Sequence, residues 1–141
     1  MKKIVFFIFL VQLLLIASAC SDQNIIPKEK ASEVVETYGI KAFTVKIETK
    51  EQKEALKASF IEKKDRSEAE YLNKKDDVTL HGKKALKKIM EAFEKLDPNP
   101  EADETELITK TAEAFGFKDY KMIRLEVTFK GHDSKEIMFS K

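Results

Sequence analysis

IRLEVTFK, at residues 123–130, decides the fold, because every second side chain in it is apolar. Alternation with period two is typical of a β-strand that buries one face and exposes the other. GHDS follows at 131–134, and its glycine and polar residues predict a tight turn. KEIMFS at 135–140 then pairs back, with Ile137 and Phe139 on one face. The C-terminal end is therefore predicted to be a β-hairpin.

Three segments nearer the N-terminus are also predicted to be strands. Residues 43–47 alternate Phe, Val and Ile with polar side chains, and residues 56–61 alternate in a similar way. A weaker alternation around Ala69 and Tyr71 ends near Asn73. Polar stretches between these segments supply the turns, so the three strands are predicted to form an antiparallel meander.

Between the two groups of strands, the apolar spacing changes to three and four residues, which is typical of amphipathic helices. The first helix is predicted to end at Asp97, because two prolines follow and neither can continue it. Asp103 and Glu106 stand at the spacing of a capping box and open a second helix, which Gly116 ends. The apolar stripe of the first helix consists of Ala85, Leu86, Ile89, Met90, Phe93 and Leu96.

The predicted element order is therefore βββααββ. This order favours an α+β fold, with a five-stranded, mainly antiparallel sheet and both helices packed on one face. The chain of 141 residues is long enough for one such domain and an N-terminal extension.

The first nineteen residues have the three-part pattern of a secretory signal. Lys2 and Lys3 make a short basic start, residues 4–16 are apolar except for Gln12, and small residues occupy 17–19. The apolar run is shorter than the roughly 20 residues that a spanning helix needs. We predict cleavage between Ala19 and Cys20.

Ile16-Ala17-Ser18-Ala19-Cys20 resembles the lipobox of bacterial lipoproteins. The resemblance implies that Cys20 receives a diacylglycerol and holds the protein on the extracytoplasmic face of the cell membrane. Two acyl chains give a stable anchor without a spanning helix. Because Ala17 and Ala19 also suit the ordinary signal peptidase, the alternative is a secreted protein with a free thiol at Cys20.

Residues 20–40 are predicted to be the lipidated cysteine and a tether that lifts the domain from the headgroups. The stretch after the cysteine is polar, Pro27 interrupts any helix, and a short helix over 31–38 would stop at Gly39. The single folded domain is then predicted to span residues 41–141.

Charge and cysteine content exclude several classes of function. The sequence has 26 basic and 25 acidic residues, and removal of Lys2 and Lys3 with the signal leaves 24 basic residues, a net charge of −1. A chain so close to neutral has no bulk electrostatic reason to bind nucleic acid. The single cysteine excludes an intrachain disulfide.

No cofactor or metal is expected from the arrangement of polar residues. Asp97, Asn99, Glu101 and Asp103 alternate as in a calcium loop, but prolines intervene and Ile108 stands where a bidentate Glu belongs. A connector between the helices explains this stretch better. His81 and His132 are too far apart in the sequence to indicate a zinc site.

The sequence also lacks a catalytic signature. The serines have no Gly-x-Ser-x-Gly setting, and His132, beside Asp133 and Ser134, is expected to be a solvated turn residue. Four lysines form a basic patch on the first predicted helix, which either contacts an anionic surface or only keeps the helix soluble. They are Lys83, Lys84, Lys87 and Lys88.

Two segments resemble the YusW-like family: Gly82-Lys83-Lys84-Ala85, which opens the first helix, and Leu125-Glu126-Val127-Thr128-Phe129-Lys130, which precedes the last turn. The resemblance covers about residues 40–140. It implies a small protein of bacilli and their relatives, often a lipoprotein, and assigns no functional residue.

We therefore expect a membrane-anchored, extracytoplasmic lipoprotein that acts as a non-catalytic binding or accessory module for an envelope protein or peptide. The first alternative is an envelope protein that contacts anionic lipid or wall polymer through the lysine-rich helix face. The second alternative is an enzyme whose site the sequence does not reveal.

Overall fold

The computed structural model describes residues 23–141 as three helices and six strands. The predicted cleavage and lipid-attachment residues, Ala19 and Cys20, lie outside the described residues. In chain order the elements are α1 (Lys28–Tyr38), β1 (Ile40–Glu48), β2 (Leu56–Ile61), β3 (Glu68–Asn73), β4 (Val78–His81), α2 (Gly82–Leu96), α3 (Glu104–Ala114), β5 (Met122–Phe129) and β6 (Lys135–Ser140).

The six strands form one antiparallel sheet in the order β4-β3-β2-β1-β5-β6. The longest strand, β1, lies inside the sheet, and its Val45 is paired with Ala58 on one side and Leu125 on the other. The predicted alternation holds here, because Phe43, Val45 and Ile47 are all buried. The α+β class and the C-terminal hairpin are confirmed.

The prediction of five strands was wrong, because β4 was missed. This strand has only four residues, VTLH, and none of them is fully buried. It is held by pairing with β3, in which Leu80 lies opposite Tyr71 and Thr79 opposite Leu72. Four residues are too few to show a reliable alternation, so pairing rather than local pattern makes this segment a strand.

The helices pack on one face of the sheet. Phe93 of α2 is fully buried, and its ring contacts Phe43 of β1 edge-on, with the ring centroids 4.9 Å apart. Tyr38 at the end of α1 contacts the same ring at 5.5 Å. Burial of a phenylalanine side chain contributes about 1.5–3 kcal/mol relative to an exposed one. The cluster of rings therefore fixes α1 and α2 on the core face.

The ends of the two later helices follow the sequence prediction. Asp97 ends α2 in a left-handed conformation, with φ 48°. At the start of α3, Oδ1 of Asp103 accepts a hydrogen bond of 2.8 Å from the backbone N–H of Glu106. This contact confirms the predicted cap, which commonly contributes about 1 kcal/mol.

The chain before β1 is packed against the domain. Residues 24–26, which we call the N-terminal strap, pair with the start of β3: Ala69 N–H donates to the carbonyl of Asn24 at 2.8 Å, and Ile26 N–H donates to the carbonyl of Ser67 at 2.9 Å. Ile25 forms a β-bridge with Glu68. Ile26 is 3% exposed.

The packed unit therefore begins near residue 24 and not at residue 41. Helix α1 was predicted only as a short helix within the tether. In the structure it begins at Lys28 and buries Ala31 and Val34 completely. Two adjacent isoleucines and a helix of two to three turns are too short a pattern to distinguish a docked segment from a polar tether in the sequence alone.

Candidate functional site

The outer edge of β6 is the largest open backbone surface of the sheet. Within residues 23–141, β6 pairs with β5 and no strand pairs with its other side. Six residues of strand extend for roughly 20 Å. On a free edge every second residue directs its N–H and C=O groups outward, where they can pair with another chain.

Two apolar side chains stand on this edge. Met138 is 67% exposed and Phe139 is 44% exposed, and they are the exposed large hydrophobic residues of the described part. In the register of the hairpin, Met138 lies opposite Arg124 on the open face, and Phe139 lies opposite Ile123 on the helix face. The edge thus presents one apolar group on each side of the sheet.

An apolar groove of about 310 Å³ adjoins Phe139, between α3 and the end of β6. Ile108 and Ala112 of α3 form one wall, and Tyr120 contacts Phe139 edge-on, with the ring centroids 6.5 Å apart. The Lys141 ammonium lies 4.2 Å from the centre of the Tyr120 ring. Apolar walls next to free backbone groups are suited to binding the side chains of an extended segment.

A larger hollow of about 730 Å³ lies between the turn that follows β1 and the loop that precedes β5. Its rim carries charges of both signs, including Lys50, Glu51 and Asp119, and Lys75 lies 5.6 Å above the ring of Phe117. Turn residues form most of this hollow, and no free strand edge adjoins it. We therefore favour the smaller groove as the binding site.

Among residues 23–141, the pKa values of two titratable groups depart clearly from their ordinary values, and both shifts have a structural cause. Burial raises the pKa of Tyr38, and the nearby carboxylates of Glu94 and Glu33 raise it further. A hydrogen bond to Glu106 raises the pKa of Lys110. Neither side chain lines the groove beside Phe139. These shifts reflect packing and ion pairing in the helices.

The residues considered for metal binding have local roles. Asn99 Oδ1 accepts a hydrogen bond of 2.9 Å from the backbone N–H of Glu101, and Asp103 caps α3. Among residues 23–141, no group of three His, Cys, Asp or Glu side chains could hold a metal ion. The two histidines are also separate: His81 Nδ1 lies 2.5 Å from Asn24 Oδ1, and His132 is exposed in the final turn.

The four lysines of the basic patch, for which contact with an anionic surface and a solvated helix face were the two interpretations, are all exposed on α2. Lys88 forms an ion pair with Glu91 at 3.5 Å, whereas the other three have no ion pair within the described part of the chain. Lys83 and Lys84 occupy the first turn of α2, where the helix dipole disfavours positive charge. No helix found in residues 23–141 is long and apolar enough to cross a membrane.

Comparison with known families places the chain in one of them. A family model described as YusW-like protein matches residues 41–131. The chain belongs to the YusW-like family. The matched segment covers β1 to the final turn, and it leaves out the strap, α1 and β6. No curated protein and no solved structure matches the chain.

Sequence reasoning did not single out Met138 or Phe139 of this YusW-like protein. The signal was present in KEIMFS, where Ile137, Met138 and Phe139 are consecutive and must place apolar groups on both faces of a strand. Such a strand is either buried on both faces or exposed on one. Only the strand order shows that β6 is at the edge.

Proposed function

We propose that this YusW-like protein is a lipid-anchored, extracytoplasmic, non-catalytic binding module that takes an extended segment of an envelope protein along β6. The observation that carries this proposal is the open β6 edge with Met138 and Phe139 exposed on its two faces. The bound segment would add a seventh strand to the sheet.

Strand addition uses two kinds of contact. Main-chain hydrogen bonds to the outward groups of β6 supply affinity, and pockets for alternate side chains supply specificity. The groove between α3 and Phe139 would receive side chains from one face of the added strand. Covering the parts of Met138 and Phe139 that are still exposed would contribute about 1 kcal/mol each.

The charges beside the groove indicate the composition of the bound segment. Lys118 and Lys141 line the groove with Glu113, so two side-chain ammonium groups lie beside one side-chain carboxylate. Farther along β6, Glu136 is occupied by an ion pair with Arg124. We therefore expect an apolar segment with an Asp or Glu that lies near Lys118 and Lys141.

Photo-crosslinking in cells tests this contact. A photoreactive amino acid at Met138 should form an adduct with an apolar, acid-containing segment of an envelope protein, whereas the same amino acid at Thr79 on β4 should not. Thr79 is a suitable control because it is exposed on the opposite outer strand. Equal adducts at both positions would contradict the proposal, as would an adduct at Met138 that contains only a second copy of the chain.

The membrane anchor is proposed from the sequence at 16–20. The mass of the N-terminal peptide from membrane-fractionated protein tests it. A peptide that starts at Cys20 with the mass of a diacylglyceryl group, absent from a Cys20→Ser variant, is the expected result. If the protein is instead found in the culture medium with an unmodified Cys20, the anchor proposal fails and the protein is secreted with a free thiol.

A second candidate function is contact with anionic lipid or wall polymer through Lys83, Lys84, Lys87 and Lys88. The observation that favours it is the absence of ion pairs at three of these lysines within the described residues, together with the unfavourable position of two of them on the helix dipole. Salt-dependent co-sedimentation of the Cys20→Ser chain with anionic vesicles is expected, and salt-independent behaviour would exclude this function.

A further inference from the structure

The strap leaves little chain between the proposed lipid and the folded domain. Asn24 is already hydrogen-bonded to β3, and only four residue steps separate it from Cys20. Four residues span at most about 14 Å when fully extended. A tether over residues 20–40 would have allowed the domain to move far from the headgroups, but the docked strap does not allow it.

The structure defines which surface surrounds the strap. Asn24 lies against His81, at the end of β4, and an added Cβ on Gly82 would lie 3.0 Å from the carbonyl oxygen of Gln23. On the other side, Ile26 is hydrogen-bonded to Ser67 in the turn between β2 and β3. The first turns of α1 and α2 and the β2–β3 turn therefore flank the point where the chain enters the domain.

This surface carries more unpaired positive charge than negative charge. Four exposed lysines, which we call the basic rim, have no ion pair within residues 23–141: Lys28, Lys64, Lys83 and Lys84. The nearby acids without an ion pair in the same part of the chain are Glu29 and Asp65. Lys63 and Glu68 neutralise each other at 3.1 Å.

The positive charges of two rim lysines lie at an electrostatically unfavourable position in the fold. Lys83 and Lys84 stand in the first turn of a fifteen-residue helix that has no acidic residue there and no side-chain cap. Negative charge is favoured at this end of a helix, and positive charge is not. An anionic surface close to this turn would remove the unfavourable interaction.

We infer that the short strap holds the basic rim against anionic phospholipid headgroups, an inference that rests on the proposed lipid anchor at Cys20. The domain then stands on the membrane in one orientation. The strap continues the outer line of β4, since Ile25 pairs with Glu68 on the side of β3 away from β2. The β6 edge is five strand spacings away, about 24 Å across the sheet.

Chemical acylation of lysine amines by an added reagent tests the orientation. Mass spectrometry measures the extent of reaction at each lysine. The lipidated chain is compared in detergent and in vesicles made of equal parts phosphatidylcholine and phosphatidylglycerol. Acylation of the four rim lysines is expected to fall several-fold in the vesicles. Lys53 and Lys118 are matched controls, because they are exposed and lie near the opposite ends of the strands, and their acylation is expected to be unchanged.

Three results would overturn the inference. The first is equal protection of the rim and the control lysines. The second is the same protection in vesicles of phosphatidylcholine alone, which would mean that the headgroup charge has no part. The third is equal protection by a soluble glycerol-phosphate polymer in detergent, which would assign the rim to wall polymer instead of lipid.

Failure of the anchor can be separated from failure of the orientation. If Cys20 carries no lipid, the purified chain will not enter vesicles, and the proposed anchor fails. The Cys20 thiol of the mature chain can then be coupled to a maleimide lipid, which restores the same four-residue spacing. If the rim lysines of that coupled protein stay as reactive as Lys53 in the vesicles, the orientation inference fails independently of the anchor.

A linker variant tests the role of the short strap. Ten glycine and serine residues inserted between Asp22 and Gln23 leave the strap contacts in place but lengthen the connection to Cys20. Protection of the rim is expected to fall towards the level in detergent. Undiminished protection would show that the spacing is irrelevant and would overturn the inference.

Discussion

The two outer strands of the sheet differ in how their edges are protected. At one edge, β4 has four residues and leads directly into α2, and the strap continues its line along β3. At the other edge, β6 has six residues, no strand on its outer side among residues 23–141, and Met138 and Phe139 exposed. Exposed edges invite pairing with other chains, so natural proteins usually shorten, charge or cover them. Here the edge next to the proposed anchor is short and is extended by the strap, and the far edge is longer and carries the two exposed apolar side chains.

The difference shows how a short N-terminal segment organises this YusW-like protein. The strap covers part of the sheet edge, fixes the entry of the chain beside α2 and brings the basic rim close to Cys20. If Ile26 of the strap stabilises the fold and the exposed side chain of Met138 on β6 does not, substitutions at these two positions will have different consequences. Substitution of Ile26 will lower stability, whereas substitution of Met138 will change binding only.

The largest effect is expected from Ile26→Ala. Ile26 is almost completely buried, so its truncation should lower the free energy of unfolding by about 2–4 kcal/mol. Met138→Ala on the open edge should change it by less than about 0.5 kcal/mol. Urea unfolding followed by circular dichroism measures both values. Equal losses in the two variants would show that the edges do not differ in stability.

Much of the fold was predictable because its longer elements have clear periodicities. The alternation in IRLEVTFK and the three-and-four spacing from Ala85 to Leu96 identified β5 and α2, and Asp103 marked the start of α3. These signals are local, and burial on one face of an element produces them directly. The missed element, β4, is too short for any period to appear.

The candidate site was less predictable, because it depends on which elements are neighbours. The lysines of α2 were correctly placed on an exposed face, but their closeness to the strap comes from contacts of Gly82 with residues 57 or more positions away. KEIMFS was predicted as a strand, but its position at the edge is a property of the sheet order. Long-range pairing is not encoded in the spacing of one segment.

The next largest effect is expected from Gly82→Ala. Gly82 has a φ of +60°, and an added Cβ would lie 3.0 and 3.1 Å from the carbonyl oxygens of Gln23 and Ile25. Gly131→Ala is the matched control, because Gly131 has a φ of +79° but nothing within 4 Å of the added atom. Both variants lose about 1 kcal/mol from backbone strain, and Gly82→Ala should lose about 1–2 kcal/mol more through the strap.

Chemical denaturation of the two glycine variants measures this difference. Hydrogen exchange adds a local readout, because the amide of Ala69 donates to Asn24 and should exchange faster in Gly82→Ala only. If the two glycine variants were equally destabilised and the amide of Ala69 stayed protected, the close contact at Gly82 would not hold the strap.

A smaller effect is expected for Tyr38→Phe at alkaline pH. Burial first, and then Glu94 and Glu33, raise the pKa of Tyr38 above 10.0 in the folded chain. The folded state therefore favours the neutral phenol. Its contribution to stability is complete below the unfolded-state pKa near 10.0 and is lost as pH rises through the higher folded-state pKa.

The free energy of unfolding, measured in urea from neutral pH to above pH 10.0, checks this prediction. The wild-type chain should lose stability with rising pH more steeply than Tyr38→Phe. Because Tyr38 ends α1 and packs on Phe93, the slope also reports whether α1 remains docked beyond the strap. Identical slopes in the two chains would mean that the phenol is not shielded at this position.

The smallest effect on stability is expected from Met138→Lys, which tests the open edge directly. Met138 is 67% exposed, so the added charge stays in solvent and the free energy of unfolding should change by less than about 0.5 kcal/mol. Lysine is a residue by which natural edge strands avoid pairing with other strands, and here it also removes the apolar contact that Met138 would make with the added strand. A photoreactive amino acid at position 139 should therefore crosslink the envelope partner in the otherwise wild-type chain. It should not do so in the chain that also carries Met138→Lys. Thr79→Lys on β4 should leave that crosslink intact. Loss of the crosslink in both lysine variants would assign the effect to overall charge, and persistence in Met138→Lys would mean that the partner does not bind as a strand along β6.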